Sequence, residues 1–180
     1  MGTIWKKFRF QRVLVEIYAW FEVFFSFIPG QIGVIVRRGF YKCFLGAVGK
    51  KFTIGMFSRI QQPQAVFIGD NISFNDRAWI AANDKNGQIF IGNDTIIGPN
   101  CIIHTGNHKY SNRELPIAKQ GYEFKTVKIG NGVWLGSNVV VLQSVKLSDG
   151  AILAAGSIVT KNVEAFSIFG GVPAKKIKDR

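Results

Sequence analysis

The sequence predicts a mainly β solenoid, in which short strands wind around one aliphatic core. Across residues 127–163 an aliphatic residue recurs at every sixth position, from Ile129 to Val159, and a second register, from Val133 to Val163, keeps the same period. A helical face would need spacings of three and four, and a half-buried strand would need strict alternation. A sustained period of six therefore indicates stacked repeats, each a short strand followed by a turn.

The same spacing predicts how the repeats stack. Three six-residue units make one triangular coil, so residues 18 apart, such as Ile129 and Leu147, lie over one another and point inward. Leu135 and Leu153 form a second such pair. A single coil has no core of its own, so we expect several coils to fold together as one domain.

Two polar segments interrupt the repeats, which begin at Ile54. Residues 81–88 predict a corner loop, and the longest interruption, residues 104–126, lies between Ile103 and the regular coils. A long excursion from a rigid scaffold commonly carries functional residues. We therefore expect a solenoid domain at residues 53–180, with its functional loop at 104–126.

The chain leaves the repeats near its C-terminus. After Gly170 and Gly171, Pro173 is suited to the first turn of a short basic helix that ends at Arg180. Such a helix would cap the open end of the stack, where strand edges and apolar residues would otherwise be exposed.

Residues 1–52 predict a basic, aromatic appendage of two helices. An apolar run at 13–28 stops at Pro29, and residues 31–45 form the second helix. As a helix the run is about 24 Å long, shorter than the ~30 Å hydrocarbon core, and it contains Glu16 and Glu22, so we expect no membrane crossing. Its broad apolar face favours peripheral contact of residues 1–45 with an anionic membrane interface. Packing on the solenoid or on a neighbouring subunit is the alternative.

Charge and cysteine content restrict the possible partners. The formal net charge is +12, and residues 1–52 carry nine Lys or Arg against two Glu, which favours anionic partners. The sequence has no spacing typical of zinc fingers, recognition helices or RNA-binding motifs, so nucleic acid is not expected. Cys43 and Cys101 give no disulfide framework, which indicates a reducing compartment such as the cytoplasm.

His104 and His108 are the only histidines, and both lie where the repeats give way to the long loop. A histidine in such a place is a candidate general base, because its ordinary pKa is near neutrality. A shared metal is the alternative. Hydrolytic zinc normally takes three protein ligands, and the sequence supplies no third histidine, so no metal is expected.

Several features, in order along the chain, support a resemblance. They are the six-residue repeats, the His108 loop that ends in Pro116 and Ile117, and the segments 127–137, 155–161 and 171–174. Over about residues 54–180 they resemble the hexapeptide-repeat acyltransferases, and within that family the galactoside and maltose O-acetyltransferases and the acetyltransferases of surface-polysaccharide assembly. The resemblance implies a left-handed parallel β-helix, with the helical appendage before it and the capping helix after it. It also implies a homotrimer that binds acetyl-CoA in the groove between adjacent solenoids.

The resemblance implies roles for individual residues. His108 falls on the catalytic histidine, and Ser137 falls where a backbone N–H meets the developing oxyanion, with Trp134 beside it. Three residues match acceptor contacts: Asn75, Asn83 and Asp84. Five match the stretch near coenzyme A: Ala155, Thr160, Lys161, Lys175 and Lys178. The chain departs from the family pattern at Gln143 and Ser144, where the family commonly has Pro-Gly.

These inferences predict an acetyl-CoA-dependent O-acetyltransferase that acts on a sugar hydroxyl in surface-polysaccharide or lipopolysaccharide biosynthesis. The expected acceptor is a sugar or a lipid-linked saccharide at the cytoplasmic face of the inner membrane. Two alternatives stay open: acetylation of a small soluble acceptor, such as an amino sugar, an amino acid or an antibiotic, and a non-catalytic β-helix scaffold. The combination of His108 with Asn75, Trp134 and Ser137 favours catalysis over the scaffold.

Overall fold

The computed structural model describes residues 2–83 and 86–180, and in the first helix the side chains of Val13 and of residues 15–26. Two α-helices, α1 (Gly2–Ser26) and α2 (Gly30–Lys42), precede the strands, as predicted. Helix α1 begins well before the apolar run. Short 3-10 helices lie at Pro63–Ala65 and Ile117–Lys119.

Within the described residues, the strands form three parallel faces of a triangular prism, named A, B and C here. Face A contains Ala47–Val48, Val66–Ile68, Ile89–Ile91, Val127–Ile129 and Lys146–Leu147. Face B contains Phe52–Ile54, Ile72–Phe74, Ile96–Ile97, Trp134–Leu135, Ile152–Leu153 and Ser167–Gly170. Face C contains Arg59–Gln61, Trp79–Ala81, Ile102–His104, Val140–Val141 and Ile158–Val159. The chain runs through A, B and C in turn, so each circuit is one coil.

The core is a column of aliphatic side chains inside the prism. Ile129 pairs with Leu147, and Leu135 with Leu153, as Cα partners in adjacent coils. All four side chains are at most 3% exposed. The predicted stacking of residues 18 apart is therefore confirmed. Because burying each Ile or Leu contributes about 1.5–3 kcal/mol, this column is the main source of stability for the solenoid.

Helix α1 packs on the solenoid through the polar side of its helical wheel. Glu22 and Ser26 are buried and Tyr18 is half-buried, whereas Trp20 is 76% exposed and Phe24 64% exposed. The apolar face predicted from the sequence therefore points away from the solenoid. Within the described residues, neither helix has the length and apolar character needed to cross a membrane.

The carboxylate of Glu22 fixes α1 to the first coil. It accepts hydrogen bonds from Tyr41 Oη at 2.7 Å and from Ile60 N at 3.2 Å, and it pairs with Arg59 Nε at 3.2 Å. Burial, reinforced by the nearby Glu22 charge, raises the pKa of Tyr41, so its hydroxyl remains a protonated donor. Hydrogen bonds to a buried carboxylate are among the stronger ones in proteins.

Arg37 of α2 donates hydrogen bonds to backbone carbonyl groups at the C-terminal end of α1. The last carbonyl groups of a helix have no partner within the helix. Arg37 Nη1 donates to Phe25 O at 3.1 Å and to Ile28 O at 2.7 Å, and its Nε donates to Ile54 O at 2.9 Å. One buried guanidinium thus links both helices to face B.

The predicted C-terminal capping helix is wrong. Strand Ser167–Gly170 extends face B beside Ile152–Leu153, and Lys175–Asp179 returns antiparallel to it. The open edge of face B presents unpaired backbone N–H and C=O groups, which a strand satisfies and a helix does not. Gly171, with a φ of 96°, supplies the left-handed backbone at which the chain turns back.

Replacing Tyr41 with Phe removes the hydroxyl that donates to Glu22 and keeps the ring. We expect the free energy of unfolding, measured by urea denaturation, to fall by about 1–3 kcal/mol, because a buried carboxylate loses a donor. Tyr110→Phe is the matched control: Tyr110 is 69% exposed, so its loss should change the free energy by less than ~0.5 kcal/mol. Equal losses in the two variants would contradict the anchoring role of the Tyr41 hydroxyl.

Candidate active site

The predicted site residues lie mainly at two corners of the prism. Corner BC joins face B to face C and comprises residues 75–78, 98–101, 136–139 and 154–157. Corner CA joins face C to face A and comprises, among the described residues, 62–65, 82–83, 86–88, 105–126 and 142–145, followed by residues 160–163 after the last face C strand. The two corners are the two ends of face C.

His108 lies on a two-stranded projection at corner CA. Gly106–His108 pairs antiparallel with Tyr122–Phe124, and these six residues are called the histidine ribbon here. His108 is exposed, and its ring centroid lies 4.3 Å from that of Tyr122. The imidazole is therefore accessible to a second molecule while an aromatic neighbour orients it.

His104 has a different environment. It is the last residue of its face C strand and is half-buried, with its ring centroid 6.1 Å from that of Trp79 in an edge-to-face arrangement. Aromatic contacts of this kind are typical of a packed histidine. Across residues 2–83 and 86–180, no group of three or more His, Cys, Asp or Glu side chains is placed to hold a metal ion.

A cleft of about 670 Å³ lies between helix α1 and corner CA. Its lining includes Arg59, Trp79, Asn83 and Glu22. Gln62 also lines it, and its side-chain oxygen is buried without a hydrogen-bond partner among the described residues. Asp84, predicted to contact the acceptor together with Asn83, lies outside the described residues.

Asn83 connects the cleft to the base of the histidine ribbon. Its N–H donates to Gly87 O at 2.7 Å, which closes a small loop. A Cβ added to Gly87 would lie 2.6 Å from Thr105 Oγ1, so Gly87 packs directly against Thr105. The cleft and the ribbon therefore belong to one side of the molecule.

Corner BC carries the other part of the predicted site. Asn75 Nδ2 donates to Ile97 O at 2.9 Å, and Ser137 O accepts from Gly156 N at 2.8 Å. The coils approach closely here, since a Cβ on Gly136 would lie 2.7 Å from Ala155 N. Trp134 begins the two-residue face B strand that leads into this corner and is half-exposed. Asn75, Ser137 and Ala155 thus share corner BC, where Ser137 and Ala155 are in register in adjacent coils.

Thr160 and Lys161 follow the last strand of face C and lie at corner CA. Lys175 and Lys178 lie on the exposed strand Lys175–Asp179, beside face B. Within the described part of one chain, the predicted residues are therefore divided: His108, Asn83, Thr160 and Lys161 lie at one end of face C, and Asn75, Ser137 and Ala155 at the other.

The sequence does not single out Tyr122 or the cleft residues Arg59 and Trp79. Arg59 and Trp79 are Cα partners on face C, but the repeats in the first coils are irregular, so this register is not visible in the sequence. Tyr122 lies opposite His108 only because the loop folds back as a ribbon. No periodic signal identifies that pairing.

Known proteins with similar sequences are acetyltransferases built from hexapeptide repeats. The family model "Bacterial transferase hexapeptide (six repeats)" matches residues 126–161. A relative from Escherichia coli K12, "Putative lipopolysaccharide biosynthesis O-acetyl transferase WbbJ", is 30% identical over 167 residues, which cover 81% of this chain and 84% of the relative. A galactoside O-acetyltransferase from Lactococcus lactis is 34% identical over 134 residues, covering 70% of this chain and 63% of the relative.

Among solved structures, a hexapeptide-repeat-containing acetyltransferase from Vibrio cholerae, complexed with acetyl coenzyme A, matches with a TM-score of 0.80. The two are 23% identical, and the match covers 93% of this chain and 87% of the other. This likeness confirms the predicted fold class. Together with the extent of the Escherichia coli match, it places the chain in a known family of enzymes. The protein is a member of the hexapeptide-repeat acyltransferases.

Proposed function

We propose that the protein transfers the acetyl group of acetyl-CoA to a hydroxyl of a saccharide during surface-polysaccharide assembly. The similarity to the O-acetyltransferases from Escherichia coli and Lactococcus lactis supports O-acetylation of sugars, and the Vibrio cholerae structure supports acetyl-CoA as the donor. The observation that carries the proposal is the accessible His108 on its ribbon, next to a cleft lined with polar and aromatic side chains.

His108 acts as the general base in this proposal. Its imidazole takes the proton from the acceptor hydroxyl as the oxygen attacks the thioester carbonyl carbon. The backbone N–H at Ser137 donates to the oxyanion that forms, and Trp134 shapes the acetyl site. The carbon–sulfur bond then breaks, and the imidazolium returns its proton to the departing coenzyme A sulfur.

The division of the site between two corners favours a homotrimer. In a cyclic trimer, corner CA of one subunit meets corner BC of the next, so His108 and Ser137 act together across the interface. Ile102, Val140 and Ile158 form an outward aliphatic column on face C between these corners. Such a column needs a covering surface, and the neighbouring subunits supply it in this arrangement.

The cleft beside Asn83 is the proposed acceptor site, with Asn75 of the neighbouring corner as a further contact. Its volume suits a sugar, and its lining combines the flat apolar surface of Trp79 with a few polar groups. Asp84 is proposed to act beside Asn83.

The coenzyme is proposed to lie along the groove between two subunits. Ala155, on one side, is small and exposed, which leaves room for the pantetheine arm. Thr160 and Lys161 line the other side, and Lys175 and Lys178 lie where ammonium groups can pair with the phosphates of the nucleotide end.

Helix α1 is proposed to lie on an anionic membrane at the cytoplasmic face of the inner membrane. Its outward surface carries a group of apolar side chains, each at least 46% exposed: Ile17, Trp20, Phe21, Val23 and Phe24. A patch of this kind on a monomer marks a contact surface. The basic balance of residues 1–52 favours anionic headgroups as the partner. This arrangement favours a membrane-borne saccharide over a small soluble acceptor.

The first test is turnover of acetyl-CoA with a panel of free, nucleotide-linked and lipid-linked sugars. We expect His108→Ala to lower kcat by about 10²–10⁴-fold, the usual cost of a lost general base. His104→Ala is the matched control and should lower kcat by less than about tenfold, because His104 is packed against Trp79. Coenzyme affinity, measured by calorimetry, should be unchanged in both variants. Wild-type turnover by His108→Ala would refute its role as base.

A second test asks whether the site is shared between subunits. His108→Ala and Ala155→Trp each damage one half of the proposed site, so each alone should be inactive. When the two are co-expressed and mixed trimers are purified with two tags, one of the three sites in each mixed trimer should combine two intact halves. Activity should therefore reappear. Mixed trimers as inactive as their parents would mean that each site lies within one subunit.

Co-flotation with vesicles tests the membrane contact. Trp20→Glu combined with Phe24→Glu should lower binding to anionic vesicles by more than tenfold, because burying each aromatic contributes about 1.5–3 kcal/mol. High salt should also weaken binding of the wild type. Phe90→Glu is the control, since Phe90 is exposed on face A. Unchanged binding of the double variant would exclude the outward face of α1 as the contact.

A further inference from the structure

We infer that Gln143 is a positioning residue that holds the histidine ribbon, and with it His108, at a fixed place on corner CA. The inference rests on the proposed function, in which His108 is the base. Gln143 itself lies one coil beyond Thr105 and is half-buried, so it reaches the base of the ribbon and not its tip.

The ribbon needs an external support. It consists of two three-residue strands, and a two-stranded hairpin alone is marginally stable in water. Phe124 packs over Gly106, where a Cβ would lie 2.7 Å from the ring, which steadies one pair of residues. Beyond that pair the ribbon projects from the prism, and its residues Asn107 and His108 are exposed. The orientation of His108 therefore depends on how the base of the ribbon is held.

Gln143 joins both strands at that base. In one amide orientation the nitrogen donates to Thr105 O and to Glu123 O, each at 3.2 Å. In the other it lies 3.5 Å from Glu123 Oε2, which is a longer contact, so the first orientation is the better bonded. Thr105 immediately precedes the first ribbon strand, and Glu123 lies in the second. Thr105 O also accepts from Lys125 N at 2.8 Å. One amide thus ties two strands of the ribbon to the adjacent coil.

The turn at this corner is made by the residue after Gln143. Ser144 takes the left-handed backbone conformation, with a φ of 69°. Gln143 therefore need not make the turn itself and is free to carry a side chain that contacts the ribbon.

The charges around Gln143 favour a neutral or cationic donor. Glu123 pairs with Lys125 Nζ at 2.9 Å, and the hydrogen bond from Lys125 holds the pKa of the Glu123 carboxyl below its ordinary value. Glu123 is therefore charged at neutral pH. A carboxylate at position 143 would face two carbonyl oxygens and lie close to this charge, which is unfavourable on both counts.

The experiment compares Gln143→Glu, which keeps the shape and removes the donor, with Gln143→Lys, which returns a donor. Asn93→Asp is the matched control. Among the described residues the Asn93 side chain bonds through its oxygen, which accepts from Asp70 N at 2.7 Å, and an aspartate keeps that bond. For each variant we would measure kcat and the KM for acetyl-CoA with the sugar acetylated best in the panel. Hydrogen exchange of the amides in residues 105–126 and the Tm would be measured on the same samples.

We expect Gln143→Glu to lower kcat by about 10–100-fold, the usual effect of a misplaced catalytic group, with the KM for acetyl-CoA unchanged and faster exchange in the ribbon. Gln143→Lys should recover part of both losses, and Asn93→Asp should behave as wild type. A lower Tm with kcat and ribbon exchange unchanged would overturn the inference, as would equal losses in the Glu and Lys variants. If neither the wild type nor any variant acetylates a sugar, the proposed function fails. Hydrogen exchange of the ribbon amides then still decides whether Gln143 holds the ribbon.

Discussion

The inward aliphatic column is the constraint on which the structure depends, because each coil is held only by the coils next to it. Every coil must bring its inward residue to the same place on each face, so each corner has to turn the chain within a few residues. Some corners do this with left-handed backbone at residues other than glycine, such as Asn138, with a φ of 60°. Asparagine tolerates that conformation better than most residues. Corners built in this way hold their outward side chains and N–H groups rigidly.

The arrangement of the faces also decides where chemistry is possible. Faces are occupied by ladder hydrogen bonds and an inward core, so only corners and outward positions are free to vary. His108 and Ser137 lie at opposite ends of face C, and the outward column between them is aliphatic. In the proposed trimer the same surface both buries this column and completes the site, so assembly and catalysis depend on one interface.

The N-terminal helices invert the usual arrangement of an amphipathic helix. Glu22 is buried and satisfied by Tyr41, Ile60 and Arg59, while Trp20 and Phe24 are exposed. A buried carboxylate is tolerated only with such partners. The polar contacts therefore dock α1 in one orientation and leave its apolar surface available for another partner. The helices contribute a contact surface and one wall of the cleft, in addition to covering the first coil.

The sequence by itself determined the solenoid and its stacked pairs, Ile129 with Leu147 and Leu135 with Leu153, because a strict six-residue period is visible locally. It also determined the two helices and the loop that carries His108, because Pro and Gly residues and polar segments mark where regular elements end. It also indicated the family through an ordered set of motifs. Only the tertiary structure decided which side of α1 is buried, that residues 167–170 and 175–179 form strands, and that Gln143 reaches Thr105 and Glu123. Each of these depends on partners that are distant in sequence: the donors to Glu22, the open edge of face B and the folded ribbon. The local sequence around a residue does not indicate such partners.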